Sequence, residues 1–215
     1  VLLASYFDHD GEFKEYRGVQ VHFDYSKIRP KGAMISGGFK APGPDGLRQS
    51  LQKCEALIEG LFTGDTNFVR MPSIVAYDFV MHMSDAVLSG GVRRSALISL
   101  SDLDDQDMRD AKSGQFWVEE GQRMLSNNSA VYNVKPTETE FLKEWIALMQ
   151  SGTGERGIFN RESLYKTLPK RRIEKSRDYI GEMGTNPCGE IILRSRQFCN
   201  LSEVVVRWDE DRKST

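Results

Sequence analysis

The stretch TNPCGEIILRSRQFCNLSEVVV, Thr185 to Val206, holds two of the three cysteines in the chain. The proline before the first cysteine fixes its own φ, and the glycine after it lets the backbone turn or approach a ligand, which indicates a shaped loop. If the loop is extended, Asn186, Cys188 and Glu190 point to the same side, because side chains alternate with a period of two. This predicts that an amide, a thiol and a carboxylate converge on one small volume.

Such a trio suits a reaction on a polar, hydroxyl-bearing substrate. The carboxylate can accept a proton from a hydroxyl, the amide can orient hydroxyls, and the thiol can act as a nucleophile or a hydrogen-atom carrier. Cys199 lies on the next short element, and a strand-turn-strand path could carry it back towards Cys188, where its thiol could supply electrons.

Other interpretations of the two cysteines stay open on the residues alone. They could form half of a zinc site, although the sequence shows neither a second cysteine pair nor a Cys/His cluster. They could be inert buried thiols. A papain-type nucleophile would need a histidine partner, and the local sequence does not identify one.

Composition indicates an ordinary globular protein. The chain has 215 residues, 39% hydrophobic content and a net charge of -2, which gives no reason to expect a nucleic-acid or membrane surface. Its apolar runs are far shorter than a membrane span, so we expect a soluble protein. Three cysteines favour a reducing compartment such as the cytoplasm. Because the chain opens on Val1 without a methionine, we expect it to be a segment of a longer protein.

The first part of the chain predicts a hairpin, a loop and two helices. VLLASYF (1–7) and FKEYRGVQVHFDY (13–25) resemble two strands around a DHDG turn, and a long Gly/Pro-rich loop follows. Apolar residues recur at helical spacing over 46–61, and Cys54 lies on that stripe as a small buried hydrophobe. A second helix is predicted with Ser73 as its N-cap and a stop at Gly90-Gly91.

The remainder alternates between strands and helices. VRRSALISLS is typical of a strand, DLDDQDMRDAK of an acidic-start helix or turn, and SNNSAVYNV of a loop entering a strand. Thr137 and Glu140 form a T-x-x-E capping box before a helix that ends near Gly152. RGIFN predicts a strand and RESLYKTL a helix, while KRRIEKSR is typical of a solvated face. His9, His22 and His82 are interpreted as packing or surface residues. This order predicts an α/β fold with parallel strands.

Several motifs resemble the catalytic subunit of ribonucleotide reductase. NPCGE followed by CNL is similar to the finger loop of that family, SGGVRRSA (Ser89 to Ala96) to its specificity loop, and SNNS (Ser126 to Ser129) also appears in members. SGGFKAPGP (Ser36 to Pro44) extends the match. VRRSA and the residues around the two cysteines look closest to the adenosylcobalamin-dependent, monomeric enzymes that act on ribonucleoside triphosphates.

The resemblance implies a role for each residue of the finger loop. Cys188 would become the transient thiyl radical that removes the ribose 3′ hydrogen atom, with adenosylcobalamin as the radical source. Glu190 would take the 3′-hydroxyl proton as general base, and Asn186 would hydrogen-bond the substrate hydroxyls. Cys199 would be one of two reducing thiols. Its partner is expected outside this segment, because Cys54 lies in the wrong motif context, and the isolated chain is expected to be inactive.

The resemblance also implies an allosteric site and a barrel. The loop that reads the substrate base and responds to a deoxynucleotide effector would comprise Gly90, Gly91, Val92, Arg93, Arg94 and Ser95, and Asn127 and Asn128 are further candidates for nucleotide binding. Residues 1–215 would form part of a ten-stranded α/β barrel, with the specificity loop at 89–96 and the finger loop at 185–193. A thioredoxin-like protein would be the reductant.

Three rival functions stay open. A reductase with a separate radical-generating subunit shares the same trio. A glycyl-radical enzyme shares the barrel and a radical cysteine, although it matches few of these motifs. A non-catalytic nucleotide-binding fragment would bind nucleotide without thiol dependence.

Overall fold

The computed structural model describes residues 1–7, 10–62, 70–86 and 96–205. The α-helices are α1 Leu2–Phe7, α2 Asp45–Leu61, α3 Ser73–Asp85, α4 Gln106–Asp110, α5 Phe116–Glu119, α6 Glu138–Ser151, α7 Leu164–Thr167 and α8 Lys170–Ser176. The strands are β1 Leu97–Ser101, β2 Ser126–Tyr132, β3 Gly157–Asn160, β4 Gly184–Thr185 and β5 Ile192–Leu193. Short 3-10 turns lie at Lys14–Tyr16, Ser36–Gly38, Gly121–Leu125 and Arg177–Glu182.

A three-stranded parallel sheet in the order β1-β2-β3 is the centre of the fold. Leu97 of β1 pairs with Ser126 of β2, and Ser129 of β2 pairs with Gly157 of β3. Parallel neighbours require crossover connections, and α4 with α5 supplies the first and α6 the second. The predicted α/β arrangement with parallel strands is therefore confirmed. The SNNS motif belongs to β2 itself, and not to a loop before it, because it pairs with β1.

Helix α6 begins and ends where the sequence predicts. The Thr137 side chain accepts a hydrogen bond from the Glu140 N–H, and the Glu140 carboxylate accepts one from the Thr137 N–H. Gly152 ends the helix in the left-handed conformation with a φ of 68°. Local hydrogen bonding thus sets both ends of this crossover helix.

Helices α2 and α3 pack against each other beside the sheet. The predicted stripe of α2 buries Cys54, Ile58 and Leu61. On α3, Tyr77 and Met81 form a core cluster with Met108 and Ala111. Pro72 and not Ser73 occupies the N-cap position of α3, and it makes no side-chain cap bond. The predicted stop of this helix at Gly90-Gly91 lies outside the described residues.

The predicted N-terminal hairpin is wrong. Residues 2–7 form α1, and the described part of 13–25 contains a 3-10 turn and no strand. Leu2, Leu3 and Ala4 are strong helix formers, so the segment has a high helix propensity despite its aromatic end. The aromatic end packs on α2, since the Phe7 and Phe62 ring centroids lie 5.5 Å apart.

A second core supports the C-terminal part of the chain. Leu164, Ile180 and Met183 are buried there, and Phe159 of β3 and Ile192 of β5 pack against them. This core joins the antiparallel β4-β5 pair to the end of the parallel sheet. Within the described ranges, no helix has both the length and the apolar character needed to cross a membrane.

Candidate active site

The finger-loop segment is a tight turn between two short antiparallel strands. Thr185 of β4 pairs with Ile192 of β5. The Asn186 N–H donates to the Ile191 carbonyl at 3.1 Å, and the Gly189 N–H donates to the Asn186 carbonyl at 3.0 Å. Gly189 has a φ of 87°, which favours glycine. The extended conformation considered for residues 186–190 is therefore wrong, because Pro187 and Gly189 close a turn.

Asn186 is the buried centre of this turn. Its Oδ1 accepts a hydrogen bond from the Ile191 N–H at 3.0 Å, and its Nδ2 lies 3.9 Å from the Cys199 Sγ. The strand-turn-strand path is observed for β4 and β5, but Cys199 lies beyond β5 and outside any strand, and it returns to the turn through its contact with Asn186. The structure thus brings Asn186 and Cys199 together.

Cys188 is exposed on the turn and lines a cavity of about 400 Å³. The cavity lies between the turn and the sheet, and its lining includes Asn127, Ser129, Glu155 and Thr185. Glu190 is also exposed, but it does not belong to the described lining of this cavity. Of these two residues, Cys188 therefore borders the cavity between the turn and the sheet, and Glu190 does not.

The two asparagines of the SNNS motif have different environments. Asn127 is exposed and its Nδ2 donates to the Pro187 carbonyl at 2.7 Å. Asn128 is buried, and its Oδ1 accepts hydrogen bonds from the Tyr77 hydroxyl at 3.1 Å and the Ser126 hydroxyl at 2.9 Å. Only Asn127 therefore presents its side chain at the turn, while Asn128 ties β2 to α3.

Glu155 is a cavity residue that the sequence analysis missed. Its Oε2 accepts the Asn128 N–H at 2.5 Å, and its Oε1 lies 3.2 Å from the Nζ of Lys112. Lys112 is buried and also donates to the Ser126 carbonyl. The signal in the sequence is a lone carboxylate in GTGERG, between a predicted helix and a predicted strand, but its partners are remote along the chain.

A second buried ion-pair cluster holds α6 against the sheet. Glu144 accepts hydrogen bonds from Arg156 at 2.9 Å and from Arg109 at 2.6 Å. Arg156 also donates to the Ser101 hydroxyl at the end of β1. Burial by itself raises the pKa of Glu144, but the hydrogen bonds from Arg156 and Arg109 outweigh it and hold that pKa below its ordinary value.

Cys54 and His82 are packing residues, as the sequence predicts. Cys54 is fully buried, and its Sγ contacts the Phe79 carbonyl of α3 at 3.6 Å. Burial, with a smaller contribution from Glu55, raises the pKa of the Cys54 thiol to about 11. His82 is buried in α3, and burial followed by the charge of Lys53 lowers its pKa. The proposed effector loop, Gly90 to Ser95, lies outside the described residues.

Comparison with known proteins finds similar sequences among the ribonucleotide reductases. The chain is 36% identical over 183 residues to the adenosylcobalamin-dependent ribonucleoside-triphosphate reductase of Lacticaseibacillus paracasei. It is 34% identical over 184 residues to that of Lactobacillus delbrueckii subsp. bulgaricus, and 33% identical over 184 residues to that of Lactobacillus leichmannii. No protein-family model matches the chain, and no solved structure matches it significantly.

These alignments cover most of this chain but a minor part of each relative. The covered share is 84% of the chain and 23% of the relative in all three cases. The chain therefore corresponds to one section of a much longer enzyme. By sequence it is similar to that section of the adenosylcobalamin-dependent ribonucleoside-triphosphate reductases.

Proposed function

We propose that the protein reduces ribonucleoside triphosphates to 2′-deoxyribonucleotides for DNA synthesis. The observation that carries the proposal is the identity of 31–36% to reductases of this kind over 84% of the chain. The activity is proposed for the whole protein, because the chain spans 23% of the length of these relatives.

The turn suits hydrogen-atom chemistry at a ribose. We assign Cys188, which lines the cavity beside the sheet, to the removal of the 3′ hydrogen atom. Glu190 takes the 3′-hydroxyl proton, and it lies on the same turn two residues away. Asn186 hydrogen-bonds the substrate hydroxyls through its amide, which its bond to Ile191 holds in one orientation.

Cys199 supplies one of the two thiols that reduce the substrate. Two thiols together provide two electrons and two protons, so the 2′-hydroxyl leaves as water, a hydrogen takes its place, and the thiols end as a disulfide. Cys54 is unsuited to pair with Cys199, since it is fully buried between α2 and α3. The second thiol therefore belongs to another part of the whole protein, and a thioredoxin-like protein reduces the disulfide again.

The described residues could contact part of adenosylcobalamin but could not enclose the whole cofactor. A cavity of about 400 Å³ accepts a nucleoside-sized ligand but is too small to enclose a corrin. The exposed thiol of Cys188 is accessible to a cofactor that approaches from outside the chain. When bound, adenosylcobalamin supplies the radical through homolysis of its cobalt-carbon bond. Cys188 is the residue that would face it.

The larger architecture and regulation are part of the same proposal. The three parallel strands belong to a ten-stranded α/β barrel, residues 1–215 form part of it, and the finger loop at 185–193 lies inside. The loop at 89–96 binds substrate and a deoxynucleotide effector through Gly90 to Ser95. The enzyme acts as a monomer in the cytoplasm, where a reducing environment keeps its thiols free.

The test is deoxynucleotide formation by the full-length protein with and without adenosylcobalamin, for the wild type and Cys188→Ala. We expect cofactor-dependent activity that Cys188→Ala abolishes, while Cys54→Ala keeps it. Activity without added cobalamin would favour a reductase with a separate radical-generating subunit. An active Cys188→Ala protein would overturn the assigned mechanism, and nucleotide binding without turnover would favour a non-catalytic protein.

A further inference from the structure

The geometry points to Asn127 as a positioning residue that holds the turn carrying Cys188, and this inference rests on the proposed function. The Asn127 Nδ2 donates to the Pro187 carbonyl at 2.7 Å, across 60 residues of sequence. That carbonyl belongs to the peptide bond that joins Pro187 to Cys188. The hydrogen bond therefore acts on the backbone of the reactive cysteine.

The backbone on both sides of Asn127 is held by one ion pair. The Nζ of Lys112 donates to the carbonyl of Ser126, which precedes Asn127. The carboxylate of Glu155 accepts the N–H of Asn128, which follows it, and pairs with the same lysine at 3.2 Å. Pairing between β2 and β3 begins only at Ser129. The Asn128 N–H therefore has no partner on β3, and the Glu155 carboxylate accepts its hydrogen bond instead.

Alternation along β2 then sets the direction of the Asn127 side chain. Ser126 and Asn128 are buried on one face of the strand, where they bond to each other and to Tyr77. Asn127 is exposed on the opposite face, at the cavity that Cys188 also lines. An amide on a backbone restrained on both sides is preorganised, and preorganised contacts keep a reactive group in its productive position.

This role differs from contact with a nucleotide. A nucleotide ligand would meet Asn127 only when bound, whereas the bond to Pro187 exists without ligand. Loss of the bond is therefore expected to loosen the turn in the free protein. In turnover it should lower kcat, because the thiol is less often in place, and should change KM little.

The test is peptide-level hydrogen exchange over residues 184–193 of the full-length protein without nucleotide or cofactor. Asn127→Ala removes the donor, and Asn127→Asp keeps the size but places an oxygen against the Pro187 carbonyl. Ser129→Ala is the matched control, since Ser129 lies on the same face and lines the same cavity. We expect exchange of this peptide to rise roughly 2- to 10-fold for Asn127→Ala, at least as much for Asn127→Asp, and not for Ser129→Ala.

Unchanged exchange in both Asn127 variants would overturn the inference. An equal increase in Ser129→Ala would also overturn it, because the effect would then belong to the whole strand face. A rise in KM at constant kcat for Asn127→Asp would assign the residue to ligand binding instead. The exchange measurement needs no turnover. A wild-type protein without cobalamin-dependent activity would therefore contradict the proposed function, while the exchange data would still test the role of Asn127.

Discussion

The Nδ2 of Asn186 lies 3.9 Å from the Sγ of Cys199, and the Oδ1 of the same side chain accepts the Ile191 N–H at 3.0 Å. One buried amide thus closes the turn that carries Cys188 and contacts the cysteine that follows the second strand. Asn186 has both a structural role in the turn and a proposed role in substrate binding. Substitutions at this residue can therefore distinguish an effect on stability from an effect on activity.

Replacement of Asn186 is expected to weaken the turn as well as activity. Asn186→Ala leaves the Ile191 N–H without its acceptor, which costs about 1–3 kcal/mol when the group stays buried. Asn186→Asp keeps an acceptor for Ile191 but removes the amide donor, so it should lose activity with a smaller loss of stability. Urea denaturation and deoxynucleotide formation measure the two effects. Equal stability of both variants and the wild type would contradict this account.

The three thiols are expected to differ sharply in alkylation. Cys188 and Cys199 are exposed, whereas Cys54 is buried with a pKa of about 11. At pH 8 only roughly one Cys54 in a thousand carries a thiolate, and thiolates are the reactive form. Iodoacetamide followed by peptide mass spectrometry should label Cys188 and Cys199 in the native protein, and all three cysteines in urea. Labelling of native Cys54 at the rate of Cys188 would contradict its packing.

The Glu144 ion-pair cluster predicts a pH-dependent loss of stability. Because Arg156 and Arg109 lower the pKa of Glu144 in the folded state, the folded protein binds fewer protons than the unfolded chain. This contribution is complete above the ordinary glutamate pKa of 4.5 and is lost as the pH falls through the lowered value. Glu144→Gln should lose about 3–5 kcal/mol at pH 7, since two arginines lose their counter-charge.

Urea denaturation of both proteins between pH 7 and pH 3 tests this prediction. The stability difference between wild type and Glu144→Gln should shrink below pH 4.5, because protonation of Glu144 removes the same charge. The other carboxylates are present in both proteins, so their contributions to the pH dependence cancel in the stability difference. A difference that stays constant down to pH 3 would show that the charge of Glu144 is not what stabilises the cluster.

The capping box of α6 predicts a smaller effect at the protein surface. Thr137→Ala removes the side-chain oxygen that accepts the Glu140 N–H, and such losses cost about 1 kcal/mol. Thr139→Ala is the control, because Thr139 is exposed in the first turn of the same helix and alanine favours helix formation. In chemical denaturation, the free energy of unfolding of Thr137→Ala should be lower than that of Thr139→Ala. The reverse order would mean that the cap does not stabilise α6.

Local patterns were sufficient for much of the fold. The helical spacing that includes Cys54 and Ile58 predicted α2 and its buried face, and Thr137 with Glu140 predicted the start of α6. The N-terminal hairpin prediction failed because Leu2 and Leu3 favour a helix and Phe7 packs on Phe62, a contact that periodicity cannot reveal.

For the candidate site too, the sequence identified some residues and missed others. The sequence identified Cys188, Glu190, Asn186 and Cys199 as a group, and their roles remain predictions. It missed Glu155, because the partners of that carboxylate, Lys112 and the Asn128 backbone, are 43 and 27 residues away. Nothing in a local motif indicates such pairings.

By itself, the sequence of this protein determined its α/β class, most helix and strand positions, and the turn chemistry of Pro187 and Gly189, because these depend on interactions between residues close along the chain. Only the tertiary structure decided that Cys188, and not Glu190, lines the cavity beside the sheet, and that the Asn127 side chain bonds to the turn. Those arrangements depend on parallel strand pairing and on a buried ion pair between distant residues, so they exist only once the chain has folded.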